Sequence, residues 1–305
     1  MIDSLMGELN TVNQTPDLYG ELVAIAMTAA RAAVALIHDN RPSELRVDTK
    51  SSATDHVTEM DRASERLIRA TILAARPSDA IVGEEDEANP VPTEQAQEGD
   101  VTATWYVDPI DGTTNYVYDH PGYNVSIAAE VEGQVVAAVV ADPTHGRMYS
   151  ATLGGGAFCN DRRLLLPGVS STDEATNGPG TGGAARVSGP LAGALVATGF
   201  GYSPKRRERQ GRVVAELLPQ IRDIRRMGAA AVDLCSVASG RVDAYFEVGL
   251  AIWDLAAGQL IATEAGARVG PIDGGPALPG SVLACRADLF DPMQQLLSSL
   301  GAGRV

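Results

Sequence analysis

Apolar residues fall at helical spacing twice near the start of the chain. Leu22, Ile25, Ala26, Ala29, Ala33 and Leu36 trace one face of a helix over 18–38, opened by Pro16-Asp17. Leu67, Ile68, Ile72 and Leu73 trace a second over 57–75, stopped by Pro77. The short run Ala80-Ile81-Val82-Gly83 predicts a strand ending in Glu84-Glu85-Asp86-Glu87, and 88–103 is a Pro-, Glu- and Gln-rich loop. From Trp105 the pattern turns to strands: 105–107, a hairpin of 125–131 and 134–141 around Glu132-Gly133, then 147–152 and 157–159. Gly154-Gly155-Gly156, between the last two, reads as a hairpin turn, because no Gly-Lys-Ser/Thr follows to make a phosphate-cradling loop. Further on, strands at 195–198, 221–224, 242–248 and 282–284 alternate with helices at 206–218, 229–239, 253–265 and 289–300. The chain thus divides into an N-terminal extension (1–16), an α+β half (17–166), a Gly-rich insertion (167–193) and an α/β half (194–305), a mixed α+β and α/β architecture.

Composition narrows the function. The 305 residues are 45% hydrophobic, enough for a large core, and carry 32 glycines and few aromatics. A net charge of −15 excludes binding to nucleic acid through a general basic surface. It leaves room for an anionic substrate if metal ions reverse the local field. Cys159, Cys235 and Cys285 are far apart with no C-x-x-C pair, as expected of reduced thiols. The first residues lack a basic stretch followed by an apolar one, and no apolar run of about 18 residues is free of charge. The expectation is a cytoplasmic protein with no membrane partner.

The candidate chemistry lies where strands end and helices begin. Trp105-Tyr106-Val107 runs into Asp108 and Asp111, with Pro109 between them, and then into Gly112-Thr113-Thr114-Asn115. Glu84 follows one strand, Asp254 opens a helix after Trp253, and Asp61 sits in the second helix. Taken singly, each carboxylate is an ordinary cap or solvated charge. Taken together, they offer oxygen-only ligands suited to Mg²⁺ or Mn²⁺ rather than Zn²⁺. N–H groups at the turn after Asp111 can hold a phosphate. The four histidines show no paired metal-ligand spacing, and no Ser or Cys stands in a nucleophile setting.

Gly83-Glu84-Glu85, Trp105 through Asn115, and Trp253-Asp254-Leu255-Ala256-Ala257-Gly258 together resemble the three signatures of the inositol monophosphatase family. Val57-Thr58-Glu59-Met60-Asp61, Lys50-Ser51-Ser52, Gly156-Ala157-Phe158-Cys159-Asn160 and Asp243-Ala244-Tyr245-Phe246-Glu247 match as well, and Arg225-Arg226-Met227-Gly228 is most similar to bacterial, especially actinobacterial, members. The resemblance implies a layered α-β-α-β-α sandwich of the sugar phosphatase type. It implies a lithium-sensitive homodimer acting on a small phosphorylated polyol with about two to three Mg²⁺ per subunit. Glu84, Asp108 and the Ile110 carbonyl would hold the first ion. Asp108, Asp111 and Asp254 would hold the second, with Glu84 reaching a weaker third through water. Gly112 and Thr113 would bind the phosphate, with Asp111 and Asp254 also lining the substrate. Asp61, Thr113 and Glu84 would orient and deprotonate water. Gly228, Ala229, Ala230 and Glu247 would line the alcohol, and Lys50 would lie on a flap. Related activities on histidinol phosphate, fructose 1,6-bisphosphate or a 3′-phosphonucleotide remain open, as does a regulatory partner-binding role.

Overall fold

A computed structural model describes residues 15–50, 56–85, 101–166, 191–273 and 280–304. The extension at 1–14, Ser51-Ser52 of the flap, most of the 88–103 loop and 167–190 of the insertion lie outside the described residues.

The elements run in order as α1 (Thr15–Val34), β1 (Val47–Thr49), β2 (His56–Thr58), α2 (Glu59–Ala75), β3 (Ala80–Gly83), β4 (Thr104–Asp111) and α3 (Thr113–Val117). Then come β5 (Asn124–Val131), β6 (Gln134–Asp142), β7 (Arg147–Thr152), β8 (Gly156–Cys159) and β9 (Arg162–Leu164). The second half holds β10 (Leu195–Thr198), α4 (Pro204–Leu217), β11 (Asp223–Arg225), α5 (Ala230–Ala238) and β12 (Ala244–Val248). It closes with α6 (Ile252–Glu264), β13 (Ala267–Gly270), β14 (Ser281–Arg286) and α7 (Ala287–Ser299).

Strands β3 to β9 form one sheet in sequence order, with only the β3–β4 pair parallel. A five-stranded sheet has the order β11-β10-β12-β14-β13, parallel at its first three strands and antiparallel beyond, and β1 and β2 form a small antiparallel pair.

Period-two alternation on both sheets produces five layers. On β6, Ala137, Val139 and Ala141 pack with Leu22, Ala26, Ala29 and Ala33 of α1 and Ile68 and Ile72 of α2, while Ala138 and Val140 face the opposite core. That opposite core holds α5 and α6 together with Ala197, Tyr245, Val282 and Ala284 of the second sheet. The alternate residues of that sheet, Val196, Ala244, Phe246, Leu283 and Cys285, pack with α4 and α7. The order is therefore helices, sheet, helices, sheet, helices. Sheets covered on both faces account for the nearly continuous apolar runs in β5, β6 and β14.

Several element boundaries differ from the sequence pattern. The second helix starts at Glu59 because Val57 and Thr58 pair with β1 and the Thr58 side chain caps the helix. At the end of α1 the chain widens into a π-helical turn, Ala35–Asp39, which buries Ile37 in place of Leu36. Strands β1, β2, β9 and β13 are additional. Asn160 and Asp161, both at positive φ (47° and 63°), turn β8 into β9, the two-residue hairpin geometry already read in Glu132-Gly133. The stretch Leu18–Asp39 is long and apolar enough to cross a membrane by length and composition. Its apolar face packs against the first sheet.

Candidate active site

The site is built on an irregularity in β4. In a regular strand, residues three apart point to opposite faces. Asp108 pairs with Ser126 and Asp111 with Asn124, so three steps on β4 oppose two on β5. The extra residue falls at Pro109-Ile110, where proline has no N–H to give the ladder, and it returns both carboxylates to one face. The Ile110 N–H that the bulge releases donates to Asp108 Oδ1 (3.1 Å). The start of β4 is fixed by Asp79, which accepts from Trp105 Nε1 and the Ala103 N–H, both at 2.9 Å.

Helix α6 brings the third carboxylate. Asp254 accepts the Ala251 N–H at the helix start (2.6 Å). Ser126 Oγ donates to the Trp253 carbonyl (3.0 Å), tying that start to the strand face that carries Asp108. Ligand atoms of Asp108, Asp111 and Asp254 all lie within 4.8 Å of one another. Asp111 Oδ2 accepts from Asn124 Nδ2 and from the Ala231 N–H of α5, both at 2.9 Å. Neither Asn124 nor Ala231 stood out in the sequence. Their roles come from strand register and from a helix N-terminus supplied by the other half of the chain.

Glu84 stands beside this group. Its N–H extends the β3–β4 pairing to the Val107 carbonyl (3.1 Å), and its carboxyl adds to the negative charge acting on Asp108. Lys50 Nζ donates to Glu84 Oε1 (2.9 Å) and Glu85 Oε1 (2.5 Å). Burial works against the Lys50 ammonium, and the two carboxylates more than offset it, so its pKa is raised.

Asp61 occupies the third position of α2 and is fully buried. Its Oδ2 accepts from the Thr58 N–H (2.8 Å) and Thr58 Oγ1 (2.5 Å). Its Oδ1 lies 3.0 Å from Thr113 Oγ1, which is also 3.0 Å from the Ile110 carbonyl. Gly112, at φ +87°, precedes Thr113, and a Cβ there would lie 3.1 Å from that of Ala229. Only glycine fits both that backbone and that approach of the two halves. Beside Gly112, Gly228 and Ala229 lead into α5, and on β12 Tyr245 OH donates to Glu247 Oε2 (2.7 Å). Arg226 was not foreseen as a site residue. Its guanidinium lies 6.0 Å from the Phe200 ring, and its charge acts on Asp111, Asp233 and Glu247.

The electrostatics state what this site lacks. Burial, then the neighbouring Glu84, Asp111 and Asp254, hold the Asp108 carboxyl well above its ordinary pKa. Burial and Asp111 push Asp254 up to about 8. Burial pushes Asp61 up to about 6 against the opposing pull of the Thr58 hydrogen bonds, and Glu247 up to about 7. Among the described residues no Lys or Arg forms an ion pair with Asp108, Asp111 or Asp254. Three clustered, oxygen-only ligands with no ion-paired cation, Arg226 acting on Asp111 only from beyond contact, fit a hard divalent ion.

This charge has a measurable consequence for the metal-free chain. Carboxyls of the unfolded chain titrate near ~4. Between that pH and the raised folded-state values, the folded protein binds more protons than the unfolded one, so raising the pH destabilises it. In a chelator the melting temperature is expected to fall as pH rises from about 4 to about 8, with a divalent cation flattening the slope. Thermal scans with and without chelator check this.

Comparison with known proteins places the geometry in a family. The inositol monophosphatase family profile matches residues 19–297. The inositol-1-monophosphatase SuhB of Mycobacterium tuberculosis is 46% identical over 227 residues, covering 73% of this chain and 71% of that protein. The Nus factor SuhB of Pasteurella multocida is 38% identical over 257 residues, covering 83% and 86%. The crystal structure of the extragenic suppressor protein suhB from Bartonella henselae superposes with a TM-score of 0.75 at 31% identity, covering 91% of this chain and 98% of that one. The five layers and the acidic cluster at the β4 bulge thus sit in a chain that belongs to the inositol monophosphatase family, a family of phosphatases.

Proposed function

We propose that this protein is a Mg²⁺-dependent phosphate monoester hydrolase that converts inositol 1-phosphate to inositol and phosphate through an activated water. The observation that carries the reading is the Asp108-Asp111-Asp254 cluster, its first two members buried and Asp254 half-buried, with Glu84 at its edge and, among the described residues, no ion-paired Lys or Arg on the first three. Glu84, Asp108 and the Ile110 carbonyl would hold one Mg²⁺; Asp108, Asp111 and Asp254 would hold a second; Glu84 would reach a weaker third through water, and Mn²⁺ would substitute. Bound there, such ions neutralise phosphate oxygens, acidify water and stabilise the leaving alkoxide.

The chain's own groups do the rest. The amides of Gly112 and Thr113 hold the phosphate at the turn. The Thr113 hydroxyl lies within hydrogen-bond reach of Asp61, so as it donates to Asp61 its oxygen would accept a hydrogen bond from the attacking water. Glu84 orients that water from the other side. Glu247, with Gly228, Ala229 and Ala230, receives the hydroxyls of the alcohol. Lys50 is the flap residue that guards Glu84. A homodimer belongs to the same reading on family resemblance, and a cytoplasmic location is proposed with it.

Hydrolysis of inositol 1-phosphate, histidinol phosphate, fructose 1,6-bisphosphate and a 3′-phosphonucleotide, side by side at fixed Mg²⁺, tests the substrate. The highest kcat/KM is expected for inositol 1-phosphate, and a clear preference for another of the four would reassign it. The relatives named Nus factor favour a second reading, a partner-binding role alongside catalysis. Capture of a protein partner by the full chain, independent of Mg²⁺, would support it.

A further inference from the structure

Glu65 has no part in the mechanism above, yet it is 2% exposed and grips the segment that carries Glu84. Asp61, Ser64 and Glu65 lie at i, i+3 and i+4, one face of α2. Each reaches a different part of the site. Asp61 receives Thr113, Ser64 Oγ lies 3.2 Å from the Pro109 carbonyl of the bulge, and Glu65 Oε2 accepts the Glu85 N–H (2.8 Å). Glu65 Oε1 accepts from Arg69 Nε (2.8 Å), and Arg69 Nη1 donates to the Ile81 carbonyl (3.2 Å). The backbone of Gly83 lies so close that a Cβ there would stand 2.4 Å from Glu65 Cδ. Glu84 is therefore held on both sides. Its own N–H is paired with β4, and the next N–H is caught by a carboxylate seated where a side chain at 83 would be.

A neutral acceptor could satisfy one N–H. A carboxylate instead adds a buried negative charge near an acidic cluster, offset by its i,i+4 ion pair with Arg69. The charge-assisted bonds to Arg69 and the Glu85 N–H are shorter and stiffer than neutral ones. Such stiffness serves a neighbour that must hold its position against repulsion from Asp108.

We propose that Glu65 is a positioning residue: its grip on the Glu85 N–H and on Gly83 sets the reach of Glu84 toward Asp108, and with it the divalent-cation affinity of that side of the site. This rests on the metal-dependent reading above.

The test is equilibrium titration of the metal-stripped full chain with Mn²⁺, followed by the paramagnetic resonance signal of the free ion, which reads binding without turnover. Glu65→Gln keeps the shape but cannot accept from both Arg69 and the Glu85 N–H. Gly83→Ala keeps the Glu65 charge and pushes it from its seat. Both variants are expected to weaken Mn²⁺ binding by about 10- to 100-fold. A merely structural role would lower the melting temperature in chelator and leave Mn²⁺ affinity alone. Binding within about twofold of the unaltered chain in Glu65→Gln, which preserves the packing, overturns the proposal whatever the melting temperature. Absence of Mn²⁺ binding by the unaltered chain contradicts the metal reading itself and overturns the proposal with it.

Discussion

Asp108→Asn is expected to lower Mg²⁺-dependent phosphate release by about 10³-fold or more, equivalent to about 4 kcal/mol of lost transition-state stabilisation, while raising the melting temperature of the metal-free chain. The two effects have one cause. Asp108 is buried and repelled by Glu84, Asp111 and Asp254, and it is the carboxylate shared by both proposed ions. Asparagine is nearly isosteric, and its carbonyl oxygen can still accept the Ile110 N–H that closes the bulge. What it removes is charge. Without metal that relieves repulsion; with metal it removes the bridge. A variant that loses activity and becomes less stable in chelator would indicate a packing defect instead. Retained activity would overturn the assignment of Asp108. Phosphate release at saturating Mg²⁺ and thermal scans in chelator read the two signs separately.

The second large effect is expected at Thr113. Thr113→Val keeps the shape and deletes one hydroxyl, which lies 3.0 Å from both Asp61 Oδ1 and the Ile110 carbonyl. If that hydroxyl passes the polarity of Asp61 to the attacking water, kcat falls by about 10²- to 10⁴-fold. Mn²⁺ affinity stays nearly unchanged, because no proposed ligand is altered. Stability falls by about 1–3 kcal/mol, since a buried Asp61 oxygen loses its donor. Thr113→Ser restores the hydroxyl and should recover most of kcat. A Val variant within about threefold of the parent rate would remove Thr113 and Asp61 from the chemistry. Single-turnover rates alongside metal titration separate the two contributions.

How much of this was legible in the sequence depended on whether the physical cause was local. The amphipathic face of α1 and the apolar runs of β5 and β6 are written in residue order, and so is the Glu132-Gly133 turn. Strand β9, Arg162-Arg163-Leu164, was not legible. It is a short charged strand at a sheet edge, and such strands carry no apolar alternation. Strand β13 is likewise short, with its second residue, Arg268, exposed. In the site, Asp108 and Asp111 stood out because one strand end displays both. The bulge that turns them to the same face is set by pairing with β5, and nothing in Asp-Pro-Ile-Asp alone states that register. The Asp61–Thr113 contact was implied only by family resemblance, since the two residues are 52 positions apart. Asn124, Ala231 and Glu65 were invisible for a related reason. Each acts through a hydrogen bond to a segment that tertiary packing brings alongside.

The most direct measurement is phosphate release from inositol 1-phosphate by the metal-stripped chain as Mg²⁺ is added back. The expected result is no release above background in chelator and saturable recovery with Mg²⁺, absent in Asp108→Asn. Release that proceeds undiminished in chelator, or that Mg²⁺ fails to restore, would contradict a metal-dependent phosphatase built on the Asp108-Asp111-Asp254 cluster.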